Sequence, residues 1–307
     1  VAASPMTTAL LLGGTGFLGQ WLVRRAPPST PRDSIVTAGR RAMPDAPDGS
    51  HVVVDLAVPG AAALLVKTLH PTHVFVLTKR TTGMPEELIA IHGGVTREVI
   101  AAALGRGVRV IVAGSSAELG PSDGRRTPLD ESAPANPVTL YGRYKLDQAS
   151  VAQRFRDVDG APDVIHARLF NLIGPGLPEG LVPADLARRV VEAERTRADV
   201  EDGRVDAKRD FLDARDAADA LWELALSRET GLFHLGSGVG TRIGDLAAMF
   251  ISEARRPCRL VPREVPSSPS DVNWQVACID KVRKATGWKP HTPLAQSVRD
   301  MLAELRT

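Results

Sequence analysis

The stretch Leu10-Leu11-Leu12-Gly13-Gly14-Thr15-Gly16-Phe17-Leu18-Gly19 decides the fold. It predicts a short buried strand that turns through closely spaced glycines into a helix. Gly13 permits the tight turn, Gly16 lets the backbone approach a pyrophosphate, and Gly19 allows the helix to pack closely on the strand. The free N–H groups at the start of the helix attract phosphates. The stretch predicts a dinucleotide site, against the alternative of an ordinary glycine-rich turn.

Short apolar runs alternate with helical patterns in the first half of the chain. The predicted strands are Ala9–Leu12, Ser34–Ala38, His51–Val54, Val74–Leu77, Arg109–Ala113 and Val164–Arg168. The predicted helices are Phe17–Arg25, Gly60–Leu69, Pro85–Leu104 and Leu140–Arg156. Strands this rich in Val, Ile and Leu indicate a parallel sheet buried on both faces. Right-handed crossovers then give a doubly wound α/β fold of the Rossmann type.

A change in amino-acid composition after Asn171 suggests a second, smaller lobe. Prolines and glycines cluster at 174–180, and short strands and helices follow. We expect a dinucleotide-binding domain over residues 1–170, to which 209–238 return. We expect 171–208 and 239–307 to form a substrate-binding lobe that closes over the carboxyl ends of the strands.

The composition narrows the function classes. The chain has 307 residues, 43% of them hydrophobic, and a net charge of +2. Only 4% are aromatic, and no basic arm suggests nucleic acid. The apolar run at Leu10 is far shorter than the roughly 20 residues of a membrane span. Cys258 and Cys278 are too few and too isolated for a zinc site or a disulfide framework, so we expect a cytoplasmic protein without a metal.

A tyrosine–lysine pair is the main candidate for chemistry. Both tyrosines of the chain lie in Tyr141-Gly142-Arg143-Tyr144-Lys145. Tyr141 and Lys145 are four residues apart, so they share one face of a helix. An ammonium beside a phenol lowers its pKa from about 10, and such a tyrosine can pass a proton to or from a carbonyl or alcohol oxygen. By itself the spacing is also common by chance.

The end of the second strand bears on the choice of cofactor. A site that prefers NAD usually carries an acid there, whereas this chain has Gly39-Arg40-Arg41. Arginine binds phosphate through a planar fork, so Arg40 and Arg41 favour the 2′-phosphate of NADP over NAD. The alternative is a pair of exposed loop arginines.

Six motifs in order resemble the extended short-chain dehydrogenase/reductase family, the NAD(P)-dependent epimerase/dehydratase group. They are the glycine turn, Asp55-Leu56, Ser115-Ser116-Ala117-Glu118-Leu119-Gly120, the Tyr141/Lys145 pair, Arg168–Gly176 and Arg209-Asp210-Phe211. Gly287-Trp288-Lys289-Pro290 is similar to a further family segment near the C-terminus. Within the family, the chain is most similar to the GDP-4-keto-6-deoxymannose reductases and related nucleotide-sugar ketoreductases.

The resemblance implies a set of site residues and a homodimer. It implies catalysis by Ser115, Tyr141 and Lys145, and substrate binding by Ser116, Asn171 and Arg209. The cofactor residues expected from the motifs are Gly13, Gly16, Phe17, Leu18, Gly19, Arg40, Arg41, Asp55, Leu56, Leu77 and Lys145.

Two departures from the family shape the expected reaction. Ser116 and Ala117 stand where dehydratases of the family carry acids, so we expect hydride transfer to a ketone with NADPH. A 4-epimerase that retains NAD stays open. Ser268 stands where an arginine often binds a substrate diphosphate; Arg209 and Arg263 are possible substitutes. A tailoring reductase of a non-sugar ketone therefore stays open too, as does a non-catalytic dinucleotide sensor.

Overall fold

The computed structural model describes residues 8–43, 47–122, 126–155, 158–202, 205–262 and 272–307. In chain order the strands are β1 (Ala9–Leu12), β2 (Ile35–Gly39), β3 (His51–Val53), β4 (His73–Val76), β5 (Arg109–Ser115), β6 (Asp163–Leu169), β7 (Asn171–Ile173), β8 (Val200–Asp202), β9 (Lys208–Asp213), β10 (Gly231–Leu235), β11 (Gly240–Arg242), β12 (Leu260–Pro262) and β13 (Trp274–Gln275). The helices are α1 (Phe17–Arg24), α2 (Ala61–Leu69), α3 (Pro85–Ile89), α4 (Val95–Ala103), α5 (Leu140–Arg154), α6 (Val182–Thr196), α7 (Ala214–Leu226), α8 (Ile243–Ser252), α9 (Asp280–Thr286) and α10 (Leu294–Leu305).

A seven-stranded parallel sheet forms the larger part of the molecule. Its order is β3-β2-β1-β4-β5-β6-β10. The strands after β1 are first added on one side of it, as β2 and β3, and then on the other side, beginning with β4. Leu12 at the end of β1 lies opposite Ala38 of β2 and Val76 of β4. In such sheets a crevice opens at the carboxyl ends of the strands where the order reverses. The predicted doubly wound α/β fold is confirmed.

The sheet is covered on both faces, as its apolar strands require. Leu10 and Leu12 pack in one core with helices α2 and α4, whereas Leu11 packs in the opposite core with α7. Side chains alternate between the faces of a strand, so a run of leucines serves both cores.

A smaller unit is built around β9. This strand pairs with β7, β11 and β13, and β8 pairs with β12 in a separate ribbon. Helices α6, α8 and α10 share its apolar core. Helix α7 packs beneath the large sheet and β10 joins its edge. The division into domains stays a proposal, and the pairing of β9 favours a return to the larger unit after Asp213 instead of at 209.

One predicted helix differs from the structure. The segment expected as a continuous helix over Pro85–Leu104 contains a π-helical turn at Ala90–Gly94, between α3 and α4. A π turn is a single-turn bulge with i→i+5 hydrogen bonds inside an α-helix, whereas the prediction assumed regular α-helical geometry over the whole segment. Within the described ranges, no helix combines the length and the apolar character that a membrane crossing needs.

Candidate active site

A cleft of about 1570 Å³ opens at the carboxyl ends of the large sheet and continues against the smaller unit. Every residue predicted to bind cofactor or substrate, or to act in catalysis, lines it: Gly13, Gly16, Phe17, Leu18, Gly19, Arg40, Arg41, Asp55, Leu56, Leu77, Ser115, Ser116, Tyr141, Lys145, Asn171 and Arg209. The fold thus brings together residues that are far apart in sequence. Their individual roles stay predictions, and the local geometry says what each can do.

The glycine turn is packed so tightly that side chains are excluded. Gly13 has a left-handed φ of 86°, and a Cβ there would lie 3.2 Å from the backbone of Leu77. A Cβ on Gly19 would lie 2.4 Å from the carbonyl oxygen of Gly14. Helix α1 begins directly after the turn, at Phe17. The turn and the first N–H groups of α1 fit a dinucleotide pyrophosphate.

The two arginines after β2 have different surroundings. Arg41 donates from Nη2 to the carbonyl oxygen of Thr15 at 2.5 Å, and so braces the glycine turn. Arg40 is exposed and makes no hydrogen bond or ion pair within the described part of the chain. Arg40 is therefore the guanidinium available to a phosphate at this end of the cleft.

The third strand is followed by the predicted Asp55-Leu56. Asp55 is exposed and its Oδ1 accepts a hydrogen bond from the N–H of Ala57 at 3.0 Å, which fixes the turn. Leu56 is buried in the core beneath it. The pair gives this end of the cleft one polar and one apolar contact.

The Lys145 ammonium is buried and fully hydrogen-bonded. Its Nζ donates to the carbonyl oxygens of Thr78 at 3.2 Å and Ala113 at 2.8 Å, and to Oε1 of Gln148 at 2.9 Å. Burial lowers the pKa of Lys145 to about 8, although the Glu118 carboxylate raises it. A pKa of this size leaves the ammonium charged at neutral pH.

Tyr141 departs from the expectation that Lys145 lowers its pKa. Burial raises the pKa of the Tyr141 phenol to about 12. A hydrogen bond with the Ser115 side chain acts in the opposite direction, and the negative charge of Glu118 adds to the rise. The neighbouring cation favours the phenolate, but the loss of water on burial has the larger effect on the pKa. At neutral pH the tyrosine is therefore a protonated acid in contact with Ser115.

Ser115 is held in place by a buried carboxylate. Oε1 of Glu118 accepts the Ser115 N–H at 2.7 Å, and Oε2 accepts from Nε of Arg168 at 2.9 Å. His166 lies 3.1 Å from both oxygens through its Nε2. Burial favours the neutral acid, but His166, Arg168 and the Ser115 N–H outweigh it and lower the pKa of Glu118 to about 2. Glu118 is a fixed anion that orients the end of β5.

The predicted substrate residues lie where the smaller unit meets the sheet. The Ser116 carbonyl oxygen accepts from Nε2 of Gln275 in β13 at 2.8 Å. Asn171 donates through Nδ2 to the Asp210 carbonyl oxygen at 3.1 Å, and Arg209 donates from Nη1 to that of Lys208 at 2.9 Å. These contacts align β7 and β9 along one wall of the cleft.

Several residues of the site escaped the sequence analysis. Lys79 lines the cleft with its Nζ 5.9 Å from the centroid of the Tyr141 ring. Gln148 and Gln275 hold Lys145 and Ser116, and Glu118 was quoted in a motif without a role. No motif marks Lys79, Gln148 or Gln275, although Gln148 lies one turn from Lys145 on the same helix. Arg263 and Ser268, which bear on a substrate diphosphate, lie outside the described residues.

Comparison with known families decides the family. A model described as the NAD dependent epimerase/dehydratase family matches residues 9–235. The chain belongs to this family. The match includes all seven strands of the large sheet and the cleft residues from Gly13 to Arg209. At the level of the family, the predicted NAD(P)-dependent oxidoreductase of the extended short-chain type is confirmed.

Individual proteins give finer comparisons. GDP-6-deoxy-D-mannose reductase of Pseudomonas aeruginosa is 28% identical over 182 residues, which span 58% of this chain and only 59% of the reductase. The structure of MoeE5 with UDP-glucuronic acid and NAD is 25% identical, with a TM-score of 0.82 over 97% of this chain and 99% of MoeE5. RMD from Pseudomonas aeruginosa, complexed with NADPH, is 24% identical and has a TM-score of 0.79 over 98% of this chain and all of RMD.

Replacing Glu118 by Gln tests the buried anion. The substitution leaves Arg168 without its counter-charge, and breaking a buried pair costs about 3–5 kcal/mol of unfolding free energy. Urea denaturation measures the loss. Glu179→Gln is the control, because its ion pair with Arg188 is exposed and such pairs contribute about 0–1 kcal/mol. Equal, small losses in both variants would show that Glu118 does not anchor the site.

Proposed function

We propose that the protein is an NADPH-dependent ketoreductase that reduces the 4-keto group of a nucleotide-linked 6-deoxyhexose. The observation that carries the proposal is the state of Tyr141. Its phenol is protonated at neutral pH, contacts Ser115, and lies at the cleft wall one helical turn from the charged Lys145. Reduction of a ketone needs an acid at the carbonyl oxygen, and a protonated phenol is that acid.

Each residue of the site has its own role in the proposed reduction. Tyr141 donates its proton to the oxygen that becomes an alkoxide, and Ser115 donates a hydrogen bond to the same oxygen. Lys145 holds the ribose of the nicotinamide and places a positive charge near the phenol. The glycine turn and Arg40 hold the phosphates. NADPH supplies the hydride when bound.

Dehydration is disfavoured because the neighbouring carboxylate cannot move protons. In the segment 115–120 the acidic residue is Glu118, whose oxygens are occupied by the Ser115 N–H, Arg168 and His166. Its pKa of about 2 keeps it ionised, and it is fully buried. Ser116 and Ala117 do not titrate near neutral pH. What the site offers is proton transfer at one oxygen.

The choice of substrate rests on the similarity to GDP-6-deoxy-D-mannose reductase. The 28% identity to GDP-6-deoxy-D-mannose reductase covers little more than half of each chain, and it favours a GDP-linked 4-keto sugar. The family match also supports a second candidate, a 4-epimerase. An epimerase must first oxidise an alcohol, for which the phenolate is the base. The high pKa of Tyr141 disfavours that step, so reduction is the better candidate.

Replacing Tyr141 by Phe tests the proton donor. Loss of a general acid lowers turnover by roughly 10²–10⁴-fold. The assay follows NADPH oxidation with GDP-4-keto-6-deoxy-D-mannose. Tyr144→Phe is the matched control, because Tyr144 stacks on His92 and is not in the cleft wall, so its variant is expected to keep wild-type turnover. Turnover by Tyr141→Phe within a few-fold of wild type would contradict the assignment.

Replacing each arginine after β2 tests cofactor choice. Arg40→Ala removes a charge-assisted contact of about 1.5–3 kcal/mol, so NADPH affinity falls roughly 10- to 100-fold while NADH affinity is unchanged. Arg41→Ala loosens the glycine turn through Thr15 and is expected to weaken both cofactors. Fluorescence titration of each reduced cofactor measures the effect. Equal losses of NADPH and NADH in Arg40→Ala would contradict the 2′-phosphate assignment.

A further inference from the structure

Gln148 connects the active-site lysine to a directional chain of hydrogen bonds. Gln148 is fully buried, and its Oε1 accepts from Nζ of Lys145 at 2.9 Å. Its Nε2 donates to Oγ1 of Thr96 at 2.9 Å, and that hydroxyl donates to the carbonyl oxygen of His92 at 3.1 Å. A hydroxyl has one hydrogen, so Thr96, which gives it to His92, must accept from Gln148.

This chain of hydrogen bonds fixes which end of the Gln148 amide faces the ammonium. Because Thr96 needs a donor, the NH₂ group must point to Thr96 and the carbonyl oxygen to Lys145. The opposite orientation would place the NH₂ group of the fully buried Gln148 against the ammonium, so that two donors would face each other. The His92 carbonyl belongs to the π-helical turn, so α4 and this turn hold a side chain of α5 in one orientation.

Within the described residues, the charged and titratable groups around Lys145 make no hydrogen bond with its ammonium and act on it at a distance. Glu118 attracts the ammonium and Lys79 repels it. His92 is kept neutral by burial, which lowers its pKa to about 4, and Tyr141 is a neutral phenol. The direct contacts of Nζ are two main-chain carbonyls and Gln148. Among the described residues, Gln148 is therefore the side chain that accepts a hydrogen bond directly from the ammonium.

We propose that Gln148 is a positioning residue that holds the Lys145 ammonium in place and keeps it charged, supported by Thr96. The inference rests on the proposed function, in which Lys145 holds the nicotinamide ribose. All three N–H groups of the ammonium are already used, so a ribose hydroxyl must replace one acceptor. The contact with Thr78 is the longest, at 3.2 Å, and Gln148 and Ala113 are the contacts that persist.

Two substitutions of similar size separate positioning from mere packing. Gln148→Met removes the acceptor, so the pKa of Lys145 falls. Gln148→Glu replaces the amide by a carboxylate beside the ammonium, so the pKa rises. Gln153→Met, on the exposed side of the same helix, is the matched control. Thr96→Val removes the support of the amide and is expected to act in the same direction as Gln148→Met, by a smaller amount.

The direct readout is the pH titration of the ¹⁵Nζ resonance of Lys145 in the cofactor-free protein, assigned by its absence in Lys145→Met. The wild-type and Gln153→Met midpoints are expected near the same pH, with shifts of about one pH unit downward in Gln148→Met and upward in Gln148→Glu. If Gln148→Met does not fold, Gln148→Glu and Thr96→Val decide. An unchanged midpoint in the folded variants would overturn the proposal.

The pH dependence of NADPH binding links the result to the active site. NADPH affinity is expected to fall as pH rises through the Lys145 midpoint, because the ammonium loses a proton, and this fall moves with the midpoint in each variant. A uniform loss of affinity at every pH would indicate a structural role alone and overturn positioning. Failure of the wild type to bind NADPH would instead reject the proposed function, while the cofactor-free titration would still decide on Gln148.

Discussion

The structure of the cleft depends on one constraint, the removal of the Lys145 ammonium from water. A buried cation must find hydrogen-bond acceptors, and three separate elements supply them: the segment after β4 through Thr78, β5 through Ala113, and α5 itself through Gln148. Meeting this requirement sets α5 against the carboxyl ends of two central strands. Tyr141, one turn earlier on the helix, is thereby placed in the cleft wall beside Ser115.

The same exclusion of water determines the chemistry. It keeps Tyr141 as a neutral acid and lowers the pKa of Lys145 toward neutrality. Glu118 stays ionised although it is buried, because His166, Arg168 and the Ser115 N–H are its hydrogen-bond partners. The proposed reduction uses these states directly. A phenol gives its proton to one oxygen, while the neighbouring carboxylate stays an anion that orients Ser115. Carbon acid–base chemistry would need a further group beside the substrate that can gain and lose a proton.

The sequence predicts the fold and the residues of the cleft because strong local rules govern both. The glycine turn at Gly13, the apolar strands, and the spacing of Tyr141 and Lys145 each have few structural solutions. It does not predict the partners of those residues. Gln148 and Glu118 act through contacts between elements that the chain order does not show, and the wrong pKa direction for Tyr141 came from counting a charge without its burial.

In the proposed reaction, a hydride is transferred from NADPH to a sugar ketone and Tyr141 supplies the proton. The most direct measurement uses NADPH deuterated at C4 of the nicotinamide, on each face in turn, with GDP-4-keto-6-deoxy-D-mannose. Mass spectrometry and NMR of the product locate the label. For the proposed reduction, we expect deuterium on the former keto carbon from one face only, with an equal amount of NADP⁺ formed. A product without deuterium, or an isomerised sugar without net oxidation of NADPH, would contradict it.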